Sequence, residues 1–250
     1  MDDRVVLVTG AAGGIGRAAA ARFRDQGDRV VLTDVDAEGL AAVAVDLGIE
    51  ETVVADVTRV ADCERAVGET LRRAGRLDVL VNCAGVWVEG PTAEMTEAAF
   101  DRTMAVNLKG TFFMCRYAIP HLERTEGCIV NLSSDAGIIG SVEAAIYSAS
   151  KGGVSLLTKS LARELAPRLV RVNAVCPNDV ETPMLVGQAR DYGGGDPEGY
   201  YRALLARYPQ GERARFIRPE EVAALIVYLA SPEAAPITGA CVAIDFGSTA

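Results

Sequence analysis

Seven short apolar runs punctuate the 250 residues of this chain, and stretches with helical spacing lie between them. The runs are Arg4–Val8, Arg29–Thr33, Glu51–Ala55, Leu77–Asn82, Cys128–Ser133, Val170–Val175 and Cys241–Phe246. They are close to continuous in Val, Ile and Leu rather than alternating apolar with polar. Strands read that way when helices cover both faces of their sheet. The intervening segments, such as "GIGRAAAARFRDQG", carry a helical period and stop at a glycine, here Gly27. Strand–helix alternation closes through right-handed crossovers. The expected fold class is therefore α/β: a doubly wound, seven-stranded parallel sheet flanked by helices. No repeat, low-complexity tract or linker divides the chain, so residues 1–250 are expected to form a single domain. One stretch, at about 183–218, differs in composition: it holds Gly193–Gly195, Tyr192, Tyr200, Tyr201, Tyr208 and six arginines. It is expected to form one or two short helices in a mobile cap over the substrate.

The first apolar run leads directly into "TGAAGGIG", Thr9–Gly16. Gly10 permits a tight turn. Gly14 and Gly16, on either side of Ile15, let backbone approach a pyrophosphate and let helix pack on sheet. The helix N-terminus behind them offers N–H groups and a positive dipole end to phosphates. A glycine trio alone is weak evidence, but strand before, helix after and an acid at the end of the second strand make a dinucleotide site. That acid is Asp34, placed to accept hydrogen bonds from both adenosine ribose hydroxyls and to repel a 2′-phosphate. Asp36 adds to the repulsion, and no Arg or Lys stands inside the turn or beside Asp34. NAD(H) is therefore expected over NADP(H). The competing role for Asp34 is a helix cap.

"IYSASK" places Tyr147 and Lys151 one helical turn apart, on one face. A tyrosine is a poor acid or base at neutral pH, and a neighbouring ammonium lowers its pKa. Alone, such a pair reads as a solvated helix face. Here Ser134, with Ser133 as its competitor, precedes it just past a strand in "IVNLSSDAG". Asn107 stands in "MAVNLKG", and "NCAG" (Asn82–Gly85) ends the fourth run.

With these residues in order, the sequence resembles the short-chain dehydrogenase/reductase family in its single-domain form, over essentially the whole chain. The motifs are the glycine turn, Asp56-Val57, Asn82–Gly85, Asn107, Ser134 with Tyr147 and Lys151, and the turn at Pro177. The resemblance implies a Rossmann-type sheet and an interconversion of secondary alcohol and ketone. It implies Tyr147 as general acid/base, and Lys151 lowering its pKa and holding the nicotinamide ribose. Ser134 would orient the substrate oxygen, and Asn107 would kink its helix and help hold a water of a proton relay. Asp56 and Val57 would flank the adenine; Asn82, Ala84 and Gly85 would line the cofactor groove. Pro177, Val180 and Thr182 would sit at the nicotinamide. A homotetramer, or failing that a dimer, is expected through the helices around Thr96–Glu123 and Ile146–Ala166.

Three positions depart from the common pattern. Cys83 stands where a second Asn is frequent and is expected to be a small buried residue. Phe246 adds bulk near the C-terminus. In "CPNDVETPM" (Cys176–Met184), Asn178 follows Pro177 where glycine is usual. Either Asn178 serves as the next-best residue for a left-handed backbone, or its amide faces the substrate. The two prolines of that stretch should interrupt any regular element. Trp87 is expected to cover the substrate or to pack between subunits, while Asp135 and Glu143 flank the catalytic segment. His121 reads as a surface residue, and the cap arginines as ion-paired or as a landing site for an anionic substrate.

A formal charge of −9 excludes a phosphate-backbone partner, and no stretch is long and apolar enough to span a bilayer. The six cysteines form no C-x-x-C, and one histidine is present, so no metal is expected. The N-terminal run is too short for a signal peptide, which points to the cytoplasm. The expected activity is an NAD-dependent alcohol dehydrogenase or ketone reductase acting on a polyol, sugar or hydroxy acid. The alternatives are a reductase of a hydrophobic or biosynthetic ketone, and a non-catalytic NAD-binding regulator.

Overall fold

The structure is a computed structural model that describes residues 4–250. Its strands are β1 (Val5–Thr9), β2 (Arg29–Asp34), β3 (Thr52–Val54), β4 (Val79–Asn82), β5 (Cys128–Leu132), β6 (Arg171–Pro177) and β7 (Cys241–Ile244). They form one sheet in the order β3-β2-β1-β4-β5-β6-β7, every pair parallel. The helices are α1 (Gly14–Asp25), α2 (Ala37–Leu47), α3 (Val60–Ala74), α4 (Glu97–Met104), α5 (Thr111–Thr125), α6 (Ala136–Ile139), α7 (Ala145–Leu165), α8 (Pro183–Tyr192), α9 (Pro197–Leu205) and α10 (Pro219–Ala230). The doubly wound parallel sheet read from the alternation is the sheet observed.

Successive strand residues point to opposite faces, and each face has its own core. Val6 and Val8 of β1 pack with Phe23 of α1, Leu40 of α2 and Ile226 of α10. Val5 and Leu7 pack on the other side with Cys63 of α3, Met114 and Leu122 of α5, and Leu165 of α7. Each such side chain contributes on the order of 1.5–3 kcal/mol by leaving water. Strand order reverses between β1 and β4, and the crossovers on either side run in opposite directions. A crevice opens there at the carboxyl ends of the strands.

The prolines of the Cys176–Met184 stretch border regular elements rather than interrupting them. Pro177 is the last residue of β6, paired with Ile244, and the next residue, Asn178, donates its N–H to the Ile244 carbonyl (3.3 Å). Pro183 opens α8, where its missing N–H has no intrahelical partner to lose. The cap consists of α8 and α9 joined through Gly193–Gly195, with Gly194 and Gly195 at φ +59° and +91°. Its far end is stapled back to the site. Ile217 donates to the Asp179 carbonyl (3.0 Å), and Glu181 donates to that of Ile217 (2.8 Å).

Candidate active site

A cavity of about 1020 Å³ fills the crevice and continues under the cap. At one end lies the glycine turn. A side chain at Gly10 would meet the Ala84 backbone at 2.7 Å, and one at Gly16 would lie 2.2 Å from the Gly10 carbonyl oxygen, so strand and helix touch here through bare backbone. Asp34 ends β2 and braces this turn: one carboxylate oxygen accepts from Ala12 N (2.9 Å), the other from Asp36 N (3.1 Å). Asp36, not Asp34, caps α2, accepting from Gly39 N (3.1 Å). Asp34 lines the cavity and, with about four lone-pair positions on a carboxylate, retains capacity for two hydroxyls. Across the groove, the Thr182 methyl sits 3.1 Å from where a Gly14 Cβ would be, so a side chain at Gly14 would close the passage. A glycine cradle, an acid at the ribose position and a continuous groove to Lys151 fit a nicotinamide dinucleotide.

Asp56, Val57, Ala84, Gly85, Pro177 and Val180 line the same cavity, as the resemblance implied. Asn82 does not. Its side chain is buried beneath the sheet, donating to Asn131 Oδ1 (2.9 Å) and Cys115 Sγ (3.4 Å), so it ties β4 to β5 instead of lining the groove. Cys83 lines the wall half-buried, and burial pushes its thiol up to about 12, which makes it inert.

Asn107 lies in a π-helical stretch, Ala105–Gly110, between α4 and α5, where the resemblance implied a kink. Its side chain acts as a surrogate backbone: Oδ1 accepts from Val86 N (2.8 Å), and Nδ2 donates to the Val86 carbonyl and to Ser150 Oγ (both 3.0 Å). It thereby fixes the chain after Gly85 against α7, beside Lys151, from behind the groove wall.

Tyr147 and Lys151 project from α7 as their spacing requires. Lys151 Nζ donates to the Leu132 carbonyl (2.7 Å) and stands 5.7 Å from the Tyr147 ring centre. Burial lowers Lys151 to about 8. Burial also pushes the Tyr147 phenol well above its ordinary value, and the Asp135 and Asp179 charges add to this, against the hydrogen bond with Ser134. Desolvation sets the net direction here, with the Lys151 ammonium turned toward the Leu132 carbonyl. Ser134 Oγ donates to Asp135 Oδ1 (2.7 Å). Ser133 is committed elsewhere: it donates to the Lys151 carbonyl (2.9 Å) and bonds Ser155 (2.8 Å). Ser134 is therefore the serine at the phenol.

The substrate end brings surprises. Trp87 packs against Tyr147, ring centres 4.4 Å apart and tilted by 56°. Its Nε1 donates to Glu89 Oε2 (3.0 Å), and the Tyr200 hydroxyl of α9 donates to the same oxygen (2.7 Å). Asn178 lacks the positive φ that would explain an Asn in place of glycine. Its Nδ2 donates to Ser248 Oγ (3.0 Å) and its Oδ1 accepts from Asp179 N (2.8 Å), so the amide is used within the protein, tying the C-terminal segment to the site. Phe246 does take the left-handed conformation (φ +55°), with the Arg215 guanidinium 4.8 Å over its ring. Of the cap arginines, Arg190, Arg202, Arg215 and Arg218 pair with Asp191, Asp196 and Glu221, while Arg207 lines the cavity. Glu143 lines the cavity rim, exposed; His121 lies on α5 outside it.

Tyr200, Tyr208 and Arg207 of the cap line this end, together with Asp179 and Glu89, which the sequence reading did not single out. The Tyr208 hydroxyl donates to Asp179 Oδ2 (3.0 Å), and burial raises Asp179 to about 6. The one available signal was an aspartate in the residue pair after Pro177, read only as turn chemistry.

Residues 10–249 match the family described as enoyl-(acyl carrier protein) reductase, the profile of a short-chain dehydrogenase/reductase. The chain belongs to the short-chain dehydrogenase/reductase family. It is 39% identical to a meso-2,3-butanediol dehydrogenase of Serratia marcescens, over 100% of this chain and 96% of that one. Among solved structures it is similar to an actinorhodin polyketide ketoreductase with NADPH (38% identity, TM-score 0.92, 99% and 98% of the two chains). It is also similar to a Brucella melitensis 3-ketoacyl-(acyl-carrier-protein) reductase with NADH (32%, TM-score 0.89, 99% and 98%). As a member of this family it is an oxidoreductase of alcohols and ketones that uses a nicotinamide cofactor.

Proposed function

We propose that this short-chain dehydrogenase/reductase uses NAD(H) to interconvert a small secondary alcohol and its ketone, with Tyr147 as general acid/base. The observation that carries the reading is convergence: Ser134, Tyr147 and Lys151 line the same cavity as the glycine turn and Asp34. When bound, the nicotinamide would supply the hydride exchange. Gly10, Gly14, Ile15 and Gly16 would hold the pyrophosphate, Asp34 the adenosine ribose, Asp56 and Val57 the adenine side, and Val180 and Thr182 the carboxamide side. A carboxylate at Asp34 with Asp36 beside it favours NAD(H) over a 2′-phosphorylated cofactor.

Tyr147 takes the alcohol proton in oxidation and returns it to the developing alkoxide in reduction. Ser134 gives the substrate oxygen a second hydrogen bond, which strengthens as charge develops there. To do so its hydroxyl leaves Asp135. Lys151 would orient the nicotinamide ribose, and its ammonium, still mostly charged at pH 7, favours the phenolate. Asn107 positions α7 against the Gly85 wall. The cap, α8 and α9, closes over the substrate about Gly193–Gly195.

Six unpaired cysteines fit a reducing, cytoplasmic setting. Exposed Phe112 on α5 and Leu156 on α7 support assembly through these helices as a homotetramer. The test is NADH formation across a panel of secondary alcohols, comparing wild type with Tyr147→Phe. Turnover by wild type with a loss of about 10²–10⁴-fold in the variant is expected. Equal rates would contradict the mechanism.

A further inference from the structure

The substrate end of the cavity is ringed by carboxylates that the catalytic reaction itself does not require. Asp135 binds the Ser134 hydroxyl and Ala136 N (both 2.7 Å). Glu89 Oε2 accepts from both Trp87 Nε1 and the Tyr200 hydroxyl. Asp179 carries fewer donors than either. Among the described residues its carboxylate has one recorded hydrogen-bond donor, the Tyr208 hydroxyl on Oδ2, which leaves it most of its acceptor capacity. Its main chain is locked: Asp179 N is held by Asn178 Oδ1 and its carbonyl by Ile217 N. The side chain is thus fixed at the cavity wall two residues beyond Pro177, whose carbonyl receives Asp135 N (3.0 Å) beside the catalytic serine.

We propose that Asp179 is a specificity-determining residue, accepting a hydrogen bond from a second donor on the substrate, the hydroxyl of a diol or polyol or the ammonium of an amino alcohol. This deepens the dehydrogenase reading and rests on it. A substrate with a carboxylate in the same place meets Asp179, Asp135 and Glu89. The one cap guanidinium in electrostatic reach of Asp179, that of Arg207, is outnumbered. Hydroxy acids are therefore disfavoured. Asp179 is also not held for the fold's sake: burial opposes its charge, and the neighbouring Asp135 and Glu89 charges oppose it further. A half-buried carboxylate opposed in this way and lining a cleft is a candidate functional position.

The experiment measures kcat/KM with NAD⁺ for 2,3-butanediol, 3-amino-2-butanol, 2-butanol and 3-hydroxybutyrate in wild type, Asp179→Asn and Tyr208→Phe. Asp179→Asn keeps the size of the side chain and an acceptor for Tyr208. NADH fluorescence titration checks that each variant is folded. Wild type is expected to favour the diol or the amino alcohol over 2-butanol by about 10- to 100-fold, the span of one hydrogen bond to a charged group. The hydroxy acid should be slowest. Asp179→Asn should shrink the preference by about tenfold and raise the hydroxy acid relative to 2-butanol; Tyr208→Phe should do so by less. A larger fall for the amino alcohol than for the diol would identify the ammonium as the donor. Ratios within twofold of wild type in Asp179→Asn would overturn the inference while leaving the dehydrogenase reading intact. Failure of wild type to oxidise any of the four would overturn both.

Discussion

The cofactor half and the substrate half of the cavity are built by different means. The cofactor half, from β1 to the end of β4, is made of backbone: glycines at positions where a Cβ would collide, and a carboxylate that braces their turn. The substrate half is made of side chains brought from afar. Glu89 meets Tyr200 across 111 residues, Asn178 meets Ser248 across 70, and Asp179 meets Tyr208 across 29. A backbone site suits the part of the ligand that does not vary among dehydrogenases, and at Gly10 and Gly16 it has no room for a side chain. A side-chain site can be rewritten one residue at a time, which suits the part of the ligand that changes.

The contrast is broken most forcefully at Gly16. Gly16→Ala places a methyl 2.2 Å from the Gly10 carbonyl oxygen. It should destabilise the protein by about 1–3 kcal/mol or more and abolish NADH binding, read by thermal denaturation and fluorescence titration. Wild-type binding in Gly16→Ala would show that the turn is not held by backbone contact.

The substrate half should respond in the opposite sense at Asp179. Its carboxyl is raised by burial from the ordinary 3.8 to about 6, with Asp135 and Glu89 adding to the rise and Tyr208 and Arg207 opposing it. Between those values the folded protein binds more protons than the unfolded chain. Stability therefore falls as pH rises through that window, and at pH 7 the charge is a cost. The full shift corresponds to roughly 3 kcal/mol. Partial exposure reduces it, so Asp179→Asn is expected to stabilise by about 1–2 kcal/mol at pH 7. The gain should fade below about pH 4, measured as Tm against pH. A variant less stable than wild type at pH 7 would mean that the carboxylate is structural.

The same division decided what could be read from the sequence. The alternation of apolar runs and helical periods was enough for the seven-stranded parallel sheet, because burial on both faces leaves a mark within each run. The glycine turn, Asp34 and the Tyr147–Lys151 pair were legible because spacing along one strand, turn or helix fixes their geometry, whereas Ser134 was named through the family resemblance. Asn82 was misplaced because its neighbours in sequence line the groove, whereas its own side chain points beneath the sheet to Asn131. Asn178 was read either through backbone freedom or as a substrate amide, and the partner of its amide, Ser248, lies on a segment no local pattern connects to it. Asp179 was hidden in a turn, since its role depends on Tyr208 arriving from the cap. The direction of the Tyr147 shift was missed because the sequence shows an ammonium nearby but not how deeply the phenol is buried.

The independence of the two halves is tested most directly by a double-mutant cycle on Asp34→Ala and Asp179→Asn, reading kcat/KM for NAD⁺ against NADP⁺ and for diol against mono-alcohol. Asp34→Ala should lower only the cofactor ratio, Asp179→Asn only the substrate ratio, and the double variant should show the sum within about 0.5 kcal/mol. Coupling well beyond that value, or a cofactor preference that moves with Asp179, would contradict the separation.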